Sequence, residues 1–332
     1  HLGFSWDKKW TDQPLRGGPI DRGFDTFFGI HSSAGSDPLC FLEQDRLAGQ
    51  PTEPITFPKY STKGEKVIKH AKAAPGFTIE GTSKALMERT IHLLKEHSIN
   101  KNKKPFFLYY ASPIPHQPWV PMKKFRGKSG LGDYGDFVMQ LDWVVGEINQ
   151  ALKKYGLDQN TLLIFTSDNG AGPPAYKAMS EQGHASSEKY RGMKASGYEG
   201  GHRVPFIVKW PGKAKAGTTS KSTINFTDFF ATFSEMLGLD HRKEFPSAVD
   251  SQSFLSALMS PKKKFSRQPM IHRSNTMRIE KWKWIHPSRS ILFSKANPNE
   301  FEVYNLEKDP GEQINLAPKK PKLRQKFFQT YQ

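Results

Sequence analysis

An acid and an amide follow an apolar run in the stretch TLLIFTSDNG, residues 161–170. The apolar run predicts a buried strand, and Asp168 and Asn169 stand at its end. A carboxylate and an amide carbonyl offer hard oxygen atoms, which suit Ca²⁺ or Mg²⁺ better than zinc. Two such ligands do not complete a cage, so further ligands have to come from elsewhere. The tripeptide that ends in Gly170 also fits an ordinary strand-ending turn, because Asp, Asn and Gly are favoured turn residues.

A histidine stands between two prolines in ASPIPHQPW, residues 111–119. Pro115 and Pro118 restrict the backbone around His116 and hold its imidazole in a fixed direction. A histidine in this setting can donate a proton or contact an anion. A purely structural role for His116 fits the sequence equally well.

A glycine-rich segment with several cationic side chains covers residues 189–205, KYRGMKASGYEGGHRVP. Glycine lets the backbone approach a ligand closely, and Lys194 supplies a point positive charge suited to a tetrahedral oxyanion. The order of glycine, lysine and hydroxyl residues is not that of a P-loop, so a nucleotide-binding cradle is disfavoured.

The elements that have to position these residues alternate between helices and strands. The predicted elements are a helix from Thr82 or Ser83 to about His97, a buried strand at 105–111, a helix at 136–155, strands at 161–166 and 204–210, and a helix at 226–237. This alternation predicts an α/β fold with a largely parallel sheet, whose sites gather at the carboxyl ends of the strands. His116 and Asp168 are therefore expected at one edge of the sheet.

The two ends of the chain differ from this middle part. Residues 1–80 are rich in Gly, Pro and aromatic residues, which indicates long loops with short strands. After about residue 245, short β-rich pieces at 268–274, 281–287 and 301–306 precede a Lys-rich tail that we expect to be helical. We therefore predict a catalytic domain at 1–245 and a small C-terminal α+β subdomain at 246–332, with antiparallel strands and a terminal helix.

The charge and residue content of the chain narrow the classes of partner that it can bind. The formal charge of +17 and the pI near 9.7 favour an anionic partner, and nucleic acid, acidic polysaccharide or anionic membrane all qualify on charge. The aromatic residues fall in core-like runs and do not interleave with lysines, which argues against nucleic acid. The single cysteine, Cys40, excludes a disulfide framework or a thiolate metal cluster within this sequence. No run of about 18 apolar residues is present, and the first residues have no signal-peptide layout.

Seven sequence blocks, taken in order, resemble the type I sulfatases, the formylglycine-dependent branch of the alkaline-phosphatase superfamily. The blocks are HLG at the start, RGFDTFFGI, PFFLYYASPIPH, LDWVVGEI, TSDNG, YRGMK with YEGGHRVP and KWPGK, and VYNLEKDPGEQINLA. The resemblance covers nearly the whole length. It implies an alkaline-phosphatase-like fold with a largely parallel central sheet flanked by helices.

The resemblance also implies roles for single residues. Asp168 and Asn169 look like two ligands of one divalent ion, usually calcium in this family. His116 looks like the histidine that touches the sulfate and the leaving-group oxygen, and Lys194 like the lysine that bridges a sulfate oxygen. His1 matches the histidine of the family's Gly-Lys-Trp-His-Leu-Gly block, whose lysine is absent from this sequence.

Three further histidines occupy loops that face the substrate in similar proteins. They are His31, His184 and His202. A structural or merely exposed role explains each of them at least as well. The implied substrate is a sulfated carbohydrate or an aryl sulfate, and the implied location is the periplasm or the exterior of the cell.

The family's nucleophile block, Cys or Ser followed by x-Pro-x-Arg, is missing. Cys40 is followed by Phe-Leu-Glu, and IHPSR at 285–289 places Ile285 where Cys or Ser is required. The family's paired aspartate ligands are missing too. We therefore expect an N-terminally truncated sulfatase, and we predict that these 332 residues alone hydrolyse no sulfate ester. The formylglycine would attack sulfur, and His116 would protonate the departing alcohol.

Two alternatives remain open at this point. A phosphodiesterase or phosphonate monoester hydrolase of the same superfamily would share the sheet and the metal. A non-catalytic polyanion-binding protein would explain both the charge of +17 and the missing nucleophile.

Overall fold

The computed structural model describes residues 4, 13–101, 104–263, 265–272, 276–285, 302–319 and 322. The chain divides into two compact units. The first unit comprises His1–Asp158 and Pro173–His184, and the second comprises Gln159–Gly172 and Ala185–Gln332. Each unit is described by itself.

In its described residues, the first unit contains two small antiparallel sheets and three α-helices. Its elements are β1 (Phe28–Gly29), β2 (Leu42–Glu43), β3 (Arg46–Leu47), β4 (Glu53–Tyr60), β5 (Lys66–Ala73), α1 (Ile79–Ile99), α2 (Gly132–Lys154) and α3 (Pro173–Ser180). One apolar cluster lies around Leu39, Leu42 and Phe57, and a second joins α1 to α2 around Trp119 and Val144. The long hairpin of β4 and β5 exceeds the short strands predicted for residues 1–80.

The first predicted helix is confirmed, but it begins earlier, at Ile79. Thr78 caps the helix, because its side chain accepts a hydrogen bond of 3.0 Å from the backbone N–H of Gly81. The cap predicted at residue 82 or 83 is wrong. Ser83 is buried within the helix, where its hydroxyl accepts a hydrogen bond of 2.6 Å from Gln140 Nε2 of α2.

The helix predicted at 136–155 is confirmed as α2, and its apolar side chains face the core at Phe137, Val144 and Leu152. Gly156 follows the helix with a φ of 66°, a left-handed conformation that glycine adopts without steric cost. The repeat of apolar residues at helical spacing therefore identified the correct face.

The predicted buried strand at 105–111 is wrong. These residues form no strand, and three of their four aromatic side chains are exposed: Phe106 is 38%, Phe107 is 64% and Tyr109 is 73% accessible. A short apolar run reports hydrophobicity but not whether a neighbouring strand is at hand to pair with it. Among the described residues no strand pairs with this segment.

The described part of the second unit contains a two-stranded ladder, a four-stranded antiparallel sheet and four short α-helices. Its elements are β6 (Leu163–Thr166), α4 (Glu199–His202), β7 (Phe206–Lys209), α5 (Asp228–Met236), α6 (His241–Glu244), α7 (Leu255–Met259), β8 (Met270–His272), β9 (Thr276–Ile279), β10 (Trp282–Ile285) and β11 (Glu302–Asn305). The sheet runs in the order β11-β10-β9-β8. The strands predicted at 161–166 and 204–210 and the helix at 226–237 are confirmed as β6, β7 and α5. The predicted burial of the first strand is wrong, because all four residues of β6 are only partly buried.

Strand direction differs from the expectation. The α/β class is confirmed, whereas every ladder among the described residues is antiparallel and only the isolated bridge between Leu39 and Ala73 is parallel. Strands joined by tight turns, such as β9 and β10, can pair only antiparallel. Alternation of helix and strand along a sequence does not specify which strands become neighbours.

The β-rich pieces predicted in the last part of the chain are confirmed as β8, β10 and β11. The predicted terminal helix falls mostly on residues outside the described ranges. The domain boundary at residue 245 stays a prediction. In the parts of the chain that the structure describes, no helix has the length and apolarity needed to cross a membrane.

Candidate functional site

The predicted metal ligands lie directly after β6. Asp168 is exposed, and among the described residues its carboxylate makes no hydrogen bond or ion pair. Asn169 donates a hydrogen bond from Nδ2 to the carbonyl of Gly170 at 3.0 Å, so its amide oxygen Oδ1 faces away from that carbonyl. Ser167 donates to the carbonyl of Asn169 at 3.0 Å and stiffens the turn. Two hard oxygen donors therefore stand on a well-defined strand end.

A second backbone segment packs against this strand end. The N–H of Gly170 donates to the carbonyl of Gly201 at 3.0 Å, and a Cβ added to Gly170 would lie 1.9 Å from the carbonyl oxygen of Gly200. Only glycine permits so close an approach of two backbones. We refer to residues 199–201, the first three residues of the four-residue helix α4, as the EGG turn. Its position fixes the strand end that carries Asp168 and Asn169.

Lys194 belongs to the segment that precedes the EGG turn. Its backbone N–H donates to the carbonyl of Ala171 at 2.8 Å, so this segment also adjoins the strand end. No ion pair within 4.0 Å joins the Lys194 ammonium to a carboxylate of the described residues. The ammonium is therefore not neutralised locally and suits an incoming anion.

His202 follows the EGG turn and lies in a cluster of buried charged residues. Its Nε2 is 3.3 Å from Glu199 Oε1 and 3.3 Å from Lys283 Nζ, and its ring stacks on His272 at 4.2 Å between centroids. Burial and the Lys283 charge lower the pKa of His202, so its imidazole is neutral at neutral pH. The prediction that His202 contacts substrate stays a prediction.

Glu199 is the acidic centre of this cluster and is only 1% exposed. Burial by itself would raise the pKa of Glu199. The contacts with His202 and with Lys283 outweigh that effect and hold the pKa well below its usual range. Glu199 is therefore a buried carboxylate anion.

The predicted proton donor lies in the first unit, on an exposed loop. His116 donates from Nδ1 to the carbonyl of Gln117 at 2.7 Å, so Nδ1 carries a proton. The loop is anchored on both sides. Gln117 accepts a hydrogen bond of 2.8 Å from the N–H of Tyr60, and the buried Trp119 donates to the carbonyl of Pro115 at 3.1 Å.

The remaining predicted histidines have different surroundings. His184 is exposed, and its backbone N–H donates to the carbonyl of Met179 at 2.9 Å. His31 is half-buried, and burial lowers the pKa of its imidazole to about 4. His1 lies outside the described residues. The substrate contacts predicted for His31 and His184, and the role predicted for His1, stay predictions.

Backbone hydrogen bonds thus join the segments that carry four of the predicted residues within the second unit: Asp168, Asn169, Lys194 and His202. The convergence of His116 with them stays a prediction, because His116 belongs to the other unit. Asp168 and Asn169 match the oxygen chemistry that Ca²⁺ prefers, but Ca²⁺ takes six to eight ligands. The described residues hold no group of three or more His, Cys, Asp or Glu side chains arranged for a metal. The two residues therefore fit part of a calcium site.

Cys40 lies in the core of the first unit and is fully buried. Burial raises the pKa of its thiol to about 11. A thiol in this state is a poor nucleophile.

Lys283 of β10, a fully buried charged side chain of the second unit, was not among the residues predicted from the sequence. The only available signal was a lysine between two tryptophans, in a strand that is otherwise apolar. A lysine at such a position is expected to be paired, because an unpaired buried charge is costly. Its carboxylate partners, Glu199 and Glu312, lie 84 and 29 residues away in the sequence, so no local pattern reveals them.

Comparison with known proteins identifies the family. The Sulfatase family model matches residues 3–239, and a model described as N-sulphoglucosamine sulphohydrolase, C-terminal, matches residues 193–329. The chain is 33% identical to an N-acetylgalactosamine-6-O-sulfatase of Bacteroides thetaiotaomicron, over 91% of this chain and 66% of that protein. It is 29% identical to the N-acetylgalactosamine-6-sulfatase of Mus musculus, over 64% of this chain and 44% of that protein. The chain therefore spans about two thirds or less of the length of these relatives.

A solved structure gives the same result for the fold. A structure from work on the metabolism of multiple glycosaminoglycans by Bacteroides thetaiotaomicron matches with a TM-score of 0.84 and 27% identity, covering 99% of this chain and 76% of that chain. The predicted alkaline-phosphatase-like fold class is confirmed by this likeness. Because the family model covers more than half of the chain, the chain belongs to the sulfatase family.

Proposed function

We propose that this protein is a sulfatase that hydrolyses sulfate esters of a sulfated carbohydrate. The observation that carries the proposal is the junction in the second unit, where the Asp168–Asn169 strand end adjoins the segment of Lys194 through backbone hydrogen bonds. Hard oxygens beside a locally unneutralised ammonium suit a tetrahedral anionic group and its metal ion. The net charge of +17 and two relatives that bear the name of N-acetylgalactosamine-6-sulfatases support a polyanionic carbohydrate.

In the proposed site, Asp168 and Asn169 supply two of the oxygen ligands of a divalent ion, which we propose is calcium. A formylglycine, when present, supplies the oxygen nucleophile. Lys194 offsets negative charge on the sulfuryl oxygens as the ester bond to sulfur breaks. His116 donates a proton from Nε2 to the departing alcohol oxygen, since its Nδ1 is held by the Gln117 carbonyl.

The 332 residues contain no Cys or Ser in the x-Pro-x-Arg context of the family. We therefore propose that this chain alone hydrolyses no sulfate ester, whereas the complete gene product does. Both are assayed with 4-nitrophenyl sulfate and with a sulfated glycan. Turnover by the purified 332-residue chain above a His116→Ala control would refute this part of the proposal.

The proton donor is tested in the complete gene product with two leaving groups. His116→Gln is expected to lower kcat for an alkyl sulfate such as N-acetylgalactosamine 6-sulfate by about 10²–10⁴, the usual contribution of general acid catalysis. The loss is expected to be much smaller for 4-nitrophenyl sulfate, because nitrophenolate leaves without a proton. His92→Gln is the matched control, since His92 is exposed on α1 and lies outside the proposed site. Equal losses with both substrates would contradict the role of His116.

The same assays separate the alternatives. Faster turnover of a phosphate diester or a phosphonate monoester than of any sulfate ester would favour a phosphohydrolase of the superfamily. Binding of a sulfated polysaccharide without turnover would favour a non-catalytic polyanion-binding protein. We also propose a periplasmic or secreted location, where sulfated polysaccharides are met, and cell fractionation tests it.

A further inference from the structure

We propose that Lys283 is a positioning residue for the metal-binding strand end, and that it acts through the EGG turn. This inference deepens the proposed function and rests on it. Lys283 lies in β10 of the four-stranded sheet, and it touches neither Asp168 nor Asn169. Any effect of Lys283 on these two predicted metal ligands therefore has to pass through the residues that lie between Lys283 and the strand end.

A buried ion-pair bridge joins Lys283 to Glu199 and Glu312. Lys283 Nζ lies 3.1 Å from Glu199 Oε1 and 2.9 Å from Glu312 Oε1, and all three side chains are within 1% of complete burial. Glu199 belongs to the EGG turn, and Glu312 belongs to the segment after β11. The lysine therefore links the turn to two separate parts of the C-terminal region.

A hydrogen bond to Glu312 fixes the backbone of the EGG turn. Glu312 Oε2 accepts a hydrogen bond of 2.6 Å from the backbone N–H of Glu199. Glu312 therefore holds the start of the EGG turn directly, while Lys283 holds Glu312 and the Glu199 side chain together. Arg203 and Arg278, at 3.2 Å and 3.6 Å, contact the other oxygen of Glu199.

Close backbone contacts connect the EGG turn to the strand end that carries Asp168 and Asn169. The carbonyl of Gly201 accepts a hydrogen bond from the N–H of Gly170, and the carbonyl oxygen of Gly200 lies only 1.9 Å from where a Cβ on Gly170 would be. Gly200 also packs against the backbone of Gly192: a Cβ on Gly200 would lie 2.4 Å from the Gly192 carbonyl oxygen. The turn is thus in close contact with two backbone segments, so a displacement of Glu199 is expected to displace Gly170 and the ligands Asp168 and Asn169 that precede it.

The residue type supports this role. An apolar side chain would fill this site in β10 at no cost in desolvation of a charge. The lysine charge offsets the repulsion between the two carboxylates that meet there. Loss of its charge is expected to separate Glu199 from Glu312 and to move the turn.

The experiment uses the complete gene product and the variant Lys283→Met. The matched control is Arg267→Met, which breaks another deeply buried ion pair of the second unit, 2.8 Å between Arg267 Nε and Asp228 Oδ2. Both variants are expected to lose stability in urea. Below the unfolding transition, Lys283→Met is expected to weaken the calcium Kd measured by calorimetry about tenfold or more and to lower kcat. Arg267→Met is expected to keep both values within about twofold.

A second variant covers failure of Lys283→Met to fold. Lys283→Gln with Glu312→Gln removes one positive and one negative charge, so the cluster keeps its net charge. It is expected to weaken the calcium Kd at least about threefold. A Kd and a kcat within about twofold of the wild type, in whichever of the two variants folds, would overturn the inference and leave the proposed function intact. If the wild type binds no calcium and hydrolyses no sulfate ester, the proposed function fails and the inference fails with it.

Discussion

Replacement of Gly170 by alanine tests the contact that joins the two segments of the site. A Cβ at this position would lie 1.9 Å from the carbonyl oxygen of Gly200, and real Cβ atoms essentially never come closer than 3.0 Å to another heavy atom. The strand end and the EGG turn therefore have to separate by about 1.1 Å. Both sides are backbone, so no side chain can rotate away to relieve the overlap.

The expected loss of stability follows from three contributions. Overpacking costs about 1–3 kcal/mol. Loss of the hydrogen bond from Gly170 to Gly201 costs about 1 kcal/mol. The lower entropy of the unfolded alanine chain offsets about 0.4–1 kcal/mol of this. The unfolding free energy is expected to fall by about 1–3.6 kcal/mol in sum. A shift of about 1 Å at metal ligands is expected to lower kcat/KM about a hundredfold.

Urea unfolding and sulfate ester turnover by the complete gene product measure the two effects. Gly146→Ala is the matched control, because a Cβ there meets nothing within 4 Å in the interior of α2. Alanine at that helical position is expected to leave activity unchanged and to raise stability by about 0.5–1 kcal/mol. If Gly170→Ala behaves as Gly146→Ala does in both assays, the close contact between the strand end and the EGG turn is wrong.

Three further predictions concern buried polar groups. Burial lowers the pKa of the His31 imidazole from 6.5 to about 4. As the pH falls, the imidazole is therefore protonated in the unfolded chain before it is protonated in the folded protein. The stability that neutral His31 contributes is complete above about pH 6.5 and is lost as the pH falls towards 4. Wild type minus His31→Gln unfolding free energies should therefore decline over that range, and a flat difference would contradict the burial. Cys40, with its thiol pKa raised to about 11, is expected to resist a thiol reagent in the native protein and to react in guanidinium chloride; rapid native labelling would speak against its position in the core. Asp228→Ala is expected to cost about 3–5 kcal/mol in urea unfolding, because it leaves the buried Arg267 without its bidentate partner; a cost below about 1 kcal/mol would refute the ion pair.

Local sequence patterns predicted the elements whose signals are contained within them. Helices α2 and α5 repeat apolar residues at helical spacing, and β6 and β7 are apolar runs bounded by turn residues. The same reasoning failed for 105–111, since an apolar run becomes a strand only if a second strand pairs with it. It also misplaced the start of α1, where burial of Ser83 against α2 moved the cap to Thr78.

The sequence by itself determined the family, the order of the site segments and the position of Asp168 and Asn169 at a strand end, because each is written in contiguous residues. Only the tertiary structure decided that the strand end is held by the EGG turn, and that the turn is held by Lys283. Those contacts join residues 31 to 113 positions apart. A buried charge is tolerated only where its partners converge, and that convergence is a property of the folded chain.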